Sequence, residues 1–293
     1  MKKKNPIIAK LITAGALMLL LVILLLLKTN TAICEFVATT FARAWIWLTG
    51  HMFGWLPFSV FELFVVVAVV ALIVCIVAIV KHLCSRGGKR ALSLLLSVVI
   101  VVLCGINLYT VTASFSYGRE SLPAQMATKH TGDDMPYEDA IALAEYVIEQ
   151  VNACYNAIPH DENGNVIMPT IDGLNDILQQ EYERLDADYF SPFTPNVKSI
   201  QSKRFMSEMH TTGIFFAPTG EPNINATRVD LFTPSTMAHE LAHSKGIMRE
   251  SDANTVAAYL LLTSENVFLR YSGYVDCLPD VLKMVRMYPN SAE

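Results

Sequence analysis

Three long apolar runs near the amino terminus limit what this chain can fold into more than any other feature. Residues 7–27 are apolar apart from Lys10 and a few small residues, and residues 60–80 and 91–110 form the second and third runs. A helix of about twenty apolar residues crosses the hydrocarbon core of a bilayer. The first run is too long for a signal peptide and no clean cleavage site follows it, so we predict three transmembrane helices.

Basic residues beside these runs indicate how the helices cross the membrane. Lysines precede the first run, and lysines and arginines lie between the second run and the third. Positively charged flanks stay in the cytoplasm, so we expect everything after the third helix to lie outside. The flanking residues are Lys2, Lys3, Lys4, Lys81, Arg86, Lys89 and Arg90.

The charges divide in the same way along the chain. Residues 1–110 carry ten basic and two acidic side chains, whereas residues 111–293 carry twelve basic and twenty-five acidic ones. The formal net charge of −5 thus joins a basic anchor to an acidic domain. This division argues against nucleic acid as a partner, and it leaves the lipid bilayer as the expected partner of the anchor.

The remaining segments complete the predicted domain organisation. Residues 29–57, between the first two runs, hold all three tryptophans, which favours a helix at the outer membrane interface over a lid that faces a substrate. Residues 111–135 are mostly polar and are predicted to be a linker. Residues 136–293 are long enough for one domain with its own core.

Patterns of apolar residues predict both helices and short strands in this outer domain, and therefore an α+β fold. Its two cysteines, Cys154 and Cys277, either pair or are ordinary buried thiols. The predicted helices cover residues 136–157, 171–189, 233–246, 250–270 and 279–287, the predicted strands cover 196–205 and 213–217, and residues 220–228 are turn-rich.

The segment His239-Glu240-Leu241-Ala242-His243 carries the clearest chemistry. On a helix, two histidines four residues apart project from one face and can share a metal ion. Glu240 lies beside them, where a carboxylate can take a proton from an activated water and deliver it to a leaving amine. Thr233 is the predicted N-cap of this helix and Gly246 its stop. The alternative is a surface helix whose two histidines are simply solvated.

A third ligand is expected where the chain folds back after Gly246, because catalytic zinc has three protein ligands and one open position. The segment Glu250-Ser251-Asp252-Ala253-Asn254 resembles the Glu-x-x-Ala-Asp element of gluzincin peptidases. This resemblance implies that Glu250 is the third ligand and that Asn254 supports a motif histidine by a hydrogen bond. Asp252 is the rival third ligand.

Two further parts of a peptidase site have candidates. An extended peptide substrate pairs with a strand edge, and residues 213–217 are either that edge or an ordinary core strand. A hydrogen-bond donor stabilises the developing oxyanion, and Tyr271 is our first choice because its helix follows the third ligand. Arg270, Tyr274 and His210 have suitable chemistry as well, and Glu221 and Asn223 either bind a substrate terminus or cap a turn.

Several short segments together resemble the domain of unknown function 3810 family, a bacterial family of membrane-anchored proteins with a zinc-peptidase-like motif. The resemblance covers most of the chain, is most specific over residues 196–275, and implies a zincin-like outer domain without a known substrate. Asp252 stands where we expect a glutamate in that family. The matching segments are Leu56-Pro57-Phe58-Ser59, Gly213-Ile214-Phe215-Phe216, Gly220-Glu221-Pro222-Asn223-Ile224-Asn225, the histidine motif, Gly246, Glu250-Ser251-Asp252-Ala253-Asn254 and Arg270-Tyr271-Ser272-Gly273-Tyr274.

The sequence therefore predicts three N-terminal transmembrane helices followed by an extracytoplasmic, zincin-like metallopeptidase domain at the bacterial cytoplasmic membrane. Zinc and Glu240 would activate water to hydrolyse peptide bonds of a peptide or protein substrate. The alternative is a catalytically inactive zincin-like domain that binds a peptide or cell-envelope partner. An intramembrane protease is disfavoured, because the motif helix is too short and too polar to span a bilayer.

Overall fold

The chain is mostly helical, with one small sheet. A computed structural model describes residues 6–122, 135–185, 190–226 and 228–288. The chain divides into two compact units. The first comprises Met1–Arg119 and Phe216–Glu221, and the second comprises Glu120–Phe215 and Pro222–Glu293. Most of the predicted linker, residues 123–134, lies outside the described residues.

Three helices of the first unit are long and apolar enough to cross a membrane, and they coincide with the three predicted apolar runs. Each extends somewhat beyond its apolar run, and two of them, α1 and α4, contain no buried residue, as expected of side chains that face lipid. The helices of this unit are α1 (Pro6–Leu27), α2 (Thr31–Val37), α3 (Arg43–Phe53), α4 (Val60–Cys84) and α5 (Gly88–Thr112).

Polar side chains form hydrogen bonds between α1 and α5. The Lys10 ammonium in α1 donates to the hydroxyls of Ser93 at 2.9 Å and Ser97 at 2.6 Å in α5. Further along both helices, the Asn107 amide donates to the Leu17 carbonyl at 3.2 Å. Residue numbers rise together along the two helices, so α1 and α5 run parallel. Their amino termini therefore lie at the same end of this helix pair.

The segment between the first two spans is helical over most of its length, because a π-helical turn, Ala38–Ala42, joins α2 to α3. Glu35 in α2 accepts two hydrogen bonds from Arg119, at 2.9 and 2.6 Å. The Arg119 guanidinium is buried and holds the pKa of Glu35 below its usual range. This bidentate pair ties the residues after α5 to α2.

Glu221 closes the amino terminus of α4. Its carboxylate accepts hydrogen bonds from the backbone N–H groups of Val60 and Phe61, each at 3.1 Å, and from the Thr219 hydroxyl at 2.7 Å. A carboxylate at this position satisfies free N–H groups and favours the positive end of the helix dipole. Of the two roles predicted for Glu221, the structure shows a capping role, although the capped element is a helix and not its own turn.

The second unit holds the remaining elements, apart from the last residue of β2 and the first residue of β3, which belong to the first unit. They are α6 (Tyr137–Ala157), α7 (Ile171–Arg184), β1 (Lys198–Ser199), α8 (Lys203–Glu208), β2 (Gly213–Phe216), β3 (Glu221–Ile224), α9 (Thr233–Ser244), α10 (Glu250–Leu262) and α11 (Val267–Arg286). The strand order is β1-β3-β2, with β1 parallel to β3 and Lys198 opposite Asn223. Strand β2 therefore lies at one edge of the sheet as described.

The core of this unit forms where α9 packs on α10 and α11, while α6 packs along α11. Met237, Ala238 and Leu241 of α9 are fully buried against Leu260 of α10 and Leu269 of α11. Burying one such leucine contributes about 1.5–3 kcal/mol, so α9 is held firmly. The helix that carries the histidine motif is therefore a core element and not a solvated surface helix.

Several predicted boundaries within this unit were wrong. The strand over residues 196–205 is reduced to β1, because Lys203–Glu208 forms a short helix. The turn-rich stretch 220–228 contains β3, whose proline and asparagine conceal its strand character. The helix predicted over 171–189 ends at Arg184, and residues 186–189 lie outside the described residues.

The carboxyl-terminal helices also differ from the prediction. The helix that starts at Glu250 ends at Leu262, and a new one begins where the Asn266 side chain accepts hydrogen bonds from the backbone N–H groups of Phe268 and Leu269. Pro279 lies inside this second helix and does not start one. Cys154 and Cys277 are free thiols.

Replacing Glu221 by glutamine should lower the thermal unfolding midpoint of the full-length protein in detergent. Glutamine keeps the shape of the side chain, but its NH₂ group would face an N–H or O–H group that is itself a donor. We expect the free energy of unfolding to fall by about 1–3 kcal/mol. The matched control is Glu149→Gln on the exposed face of α6, which should leave the midpoint unchanged. Equal midpoints for the two variants would contradict the capping role.

Candidate metal centre

The turn after α9 orients the second motif histidine. Gly246 adopts a left-handed backbone, φ 89°, and the N–H groups of Gly246 and Ile247 donate back to the carbonyls of His243 and Ala242. This is the Schellman arrangement that favours glycine. It brings the Ile247 carbonyl to 2.7 Å from Nδ1 of His243. A carbonyl only accepts, so His243 carries its proton on Nδ1 and its Nε2 is an acceptor.

The first motif histidine is oriented from the next helix. Asn254 of α10 places its Oδ1 at 2.7 Å from Nδ1 of His239, which leaves Nε2 of His239 as the acceptor. The two imidazole rings stand 4.7 Å apart at 88°. Asn254 thus makes the hydrogen bond to a motif histidine that the gluzincin resemblance implies. The predicted N-cap was wrong: the Asp230 carboxylate, and not Thr233, accepts the backbone N–H groups at the amino terminus of α9.

Glu250, the first residue of α10, completes a cluster with these histidines. Its Oε2 lies 3.1 Å from Nε2 of His239 and its Oε1 lies 3.6 Å from Nε2 of His243. One donor atom from each residue lies within 4.8 Å of the others. Burial lowers the pKa of His243, which favours the neutral imidazole whose Nε2 lone pair faces the carboxylate.

This donor set fits a zinc ion. Tetrahedral zinc with nitrogen and oxygen ligands at about 2.0–2.1 Å separates neighbouring donor atoms by roughly 3.3 Å, close to the two distances observed here. Three acceptor atoms that converge in this way repel one another unless a metal ion or a proton lies between them. Two imidazoles and a glutamate carboxylate form one of the ligand sets of catalytic zinc sites.

Glu240 is buried beside the cluster. Within the described residues its Oε2 has no hydrogen-bond partner, so a polar atom there is left for a ligand or water. Burial, and then the nearby Glu250 carboxylate, raise the pKa of Glu240 to about 8. Gly213 makes room for this side chain, since a Cβ there would lie 2.5 Å from Oε1 of Glu240.

A cleft of about 330 Å³ opens over Glu240. It gives access to two of the three cluster residues, His239 and Glu250, and the Glu250 side chain is 70% exposed. All lining residues apart from the glycine carry polar side chains: His210, Thr211, Thr212, Gly213, Ser235, Thr236, His239, Glu240, Glu250 and Asn254.

The edge strand β2 runs into this cleft at Gly213. Two residues on, the Phe215 ring lies 6.3 Å from the His243 ring, as the alternation of a strand predicts. Sequence reasoning identified the strand but missed Gly213 as the residue that accommodates Glu240. The signal was a glycine at the start of a β-rich run, which marks a close approach of another group.

Some predicted site residues lie elsewhere. Tyr271 is almost fully buried with its ring 6.0 Å from that of Tyr155, and it is not among the described residues that line the cleft. Burial raises the pKa of Tyr271. Asp252 accepts a hydrogen bond from the Leu122 N–H at 3.3 Å and stands apart from the cluster.

The contact between Gly213 and Glu240 predicts a non-additive pair of substitutions. Gly213→Ala should lower the unfolding midpoint, at a cost of about 1–3 kcal/mol, because the new methyl group overlaps the buried glutamate. In a Glu240→Ala background the same change should cost little. A thermal double-mutant cycle measures the difference, and equal losses in both backgrounds would contradict the contact.

Comparison with known proteins places the chain in one family. Searches of curated proteins and of solved structures give no match. A family model described as "Protein of unknown function (DUF3810)" matches residues 38–292, which is most of the chain and includes the whole candidate centre. The resemblance seen in the sequence is therefore confirmed, and the chain belongs to the DUF3810 family.

Proposed function

We propose that this protein is a membrane-anchored zinc peptidase with a zincin-like outer domain. One observation carries the proposal: two imidazoles, each with its Nδ1 proton committed to an acceptor, present Nε2 lone pairs to the Glu250 carboxylate. This arrangement suits a cation and stands next to a buried glutamate in an open cleft. His239, His243 and Glu250 would hold the zinc.

Bound zinc supplies Lewis-acid polarisation of a carbonyl and lowers the pKa of water. The chain supplies the proton transfers. Glu240 lines the cleft beside the ligands, where a carboxylate can accept a proton and later release it. The exposed side of Glu250 leaves the cleft accessible to a peptide.

The proposed reaction is hydrolysis of a peptide bond. Glu240 removes a proton from water as the water oxygen bonds to the carbonyl carbon, and the carbonyl π electrons move to oxygen. When the carbonyl re-forms, the carbon–nitrogen bond breaks with its electron pair on nitrogen, and Glu240 returns the proton to that nitrogen. One water is consumed, and a carboxylic acid and an amine leave.

The cleft favours an extended peptide with polar side chains. Strand β2 ends the sheet order and enters the cleft, so its backbone is placed to pair with an added strand. The threonines, the serine and Asn254 that line the cleft offer hydrogen bonds, and no apolar side chain among the described lining residues forms a hydrophobic specificity pocket. A hydrophilic peptide or protein segment is therefore the proposed substrate class.

We place this domain outside the cytoplasm. Basic residues flank the start of α1 and the loop between α4 and α5, and α1 and α5 run parallel. Both helices then begin in the cytoplasm, and the acidic part of the chain follows on the other side.

Metal content should depend on the cluster and not on Asp252. The wild type should bind about one zinc per chain, and Glu250→Gln should weaken binding by more than about 100-fold. Asp252→Asn is the matched control and should bind like the wild type, because its carboxylate contacts Leu122 instead. Competition with a chelating dye measures both. Loss of zinc in Asp252→Asn with retention in Glu250→Gln would overturn this ligand assignment.

Hydrolysis should depend on Glu240 without zinc being lost. Glu240→Gln should keep one zinc and lower kcat by about 10²–10⁴-fold on a polar fluorogenic peptide library, since the base is removed and the ligands stay. If wild type and variant both bind zinc and neither cleaves, the protein is instead a zincin-like domain that binds a peptide or cell-envelope partner. Equal cleavage by both would rule out Glu240 as the base.

A further inference from the structure

His210 stands out because of its backbone. It has φ 52°, and among the described residues of the second unit no other non-glycine residue has a positive φ. An L side chain in this left-handed region carries a conformational cost that glycine avoids. A residue kept there at a cost is a candidate for a functional side chain.

The turn itself does not call for histidine. The N–H groups of His210 and Thr211 donate back to the carbonyls of Ser207 and Met206, at 3.0 Å each, which is a Schellman end to α8. The same motif ends α9, and there the chain places Gly246 at the corresponding position. The two turns have the same hydrogen bonds, so glycine would serve α8 equally well.

The side chain of His210 has no evident structural use. It is exposed, and within the described residues its imidazole makes no hydrogen bond. It does line the cleft together with Glu240 and Glu250. The turn is also fixed in place, since Asn225 donates to the Thr211 carbonyl at 3.2 Å and to the Thr212 carbonyl at 2.7 Å.

We infer that His210 is a further catalytic residue, which donates a hydrogen bond to the substrate oxygen that gains negative charge. This inference rests on the proposed function. A peptide lying along β2 passes the His210 turn, because that turn leads directly into the strand. From the wall of the cleft, the imidazole N–H of His210 donates to the substrate oxygen. His210 thus takes the role that the sequence analysis assigned to Tyr271, which is not among the described residues that line the cleft.

The test compares three variants of the full-length, zinc-loaded protein. His210→Gly should lower kcat by about 10²–10³-fold with KM nearly unchanged, because the hydrogen bond forms only as charge develops. Free imidazole at millimolar concentration should restore part of the rate, and His210→Asn, which keeps a donor and tolerates this backbone, should retain more activity than the glycine variant. Met209→Gly is the matched control for a glycine in the turn, and it should behave like the wild type because Met209 is exposed and outside the cleft.

The thermal unfolding midpoint tests the backbone strain at His210 independently of activity. His210→Gly should raise the thermal unfolding midpoint by about 2–4 °C, because it relieves the left-handed backbone. A lower midpoint would contradict the premise of strain. Activity equal to that of Met209→Gly would overturn the catalytic role, as would a loss that neither imidazole nor asparagine restores.

A binding experiment separates this inference from the proposed function. If the wild type hydrolyses no peptide, the proposed function fails. The affinity of the zinc-loaded protein for a peptide phosphonate, whose charged oxygens mimic the developing oxyanion, then decides the role of His210. Binding at least about tenfold weaker in His210→Gly supports the anion contact. Equal affinities, or no binding by the wild type, would overturn it.

Discussion

The hydrogen bond from His243 Nδ1 to the Ile247 carbonyl sets the chemistry of the centre. It decides which nitrogen of a buried imidazole carries the proton, and so which nitrogen can act as a ligand. The bond exists because Gly246 turns the chain back by a left-handed residue directly after the motif helix. The same turn starts the approach to α10, which carries Glu250 and Asn254 into place.

Rigid surroundings support this arrangement. The motif helix α9 is packed on α10 and α11, so histidines and glutamate are fixed relative to each other by core contacts and not by loops. Glu240 is held by burial and by the close approach of Gly213. In the first unit, paired polar groups such as Lys10 with Ser97 and Glu35 with Arg119 fix the helices in a similar way.

Composition and local motifs were sufficient for the spans and for the histidine motif. A run of about twenty apolar residues is expected to form a helix that is long enough to cross a bilayer. Two histidines four residues apart on a helix lie on the same face, whatever the tertiary fold. Residues whose role depends on distant partners could not be predicted. Glu221 caps a helix 160 residues away, and the position of Tyr271 depends on how α11 packs against α6. The Ile247 contact is local, but it is made by a backbone carbonyl, so the identity of the residue does not announce it.

The most direct test of the central claim is zinc K-edge X-ray absorption on the full-length protein purified with zinc. The account predicts two imidazole nitrogens at about 2.0–2.1 Å and carboxylate or water oxygens at about 2.0–2.2 Å, with no sulfur shell. A sulfur contribution at about 2.3 Å, or a spectrum with a single imidazole, would show that zinc binds somewhere other than His239, His243 and Glu250.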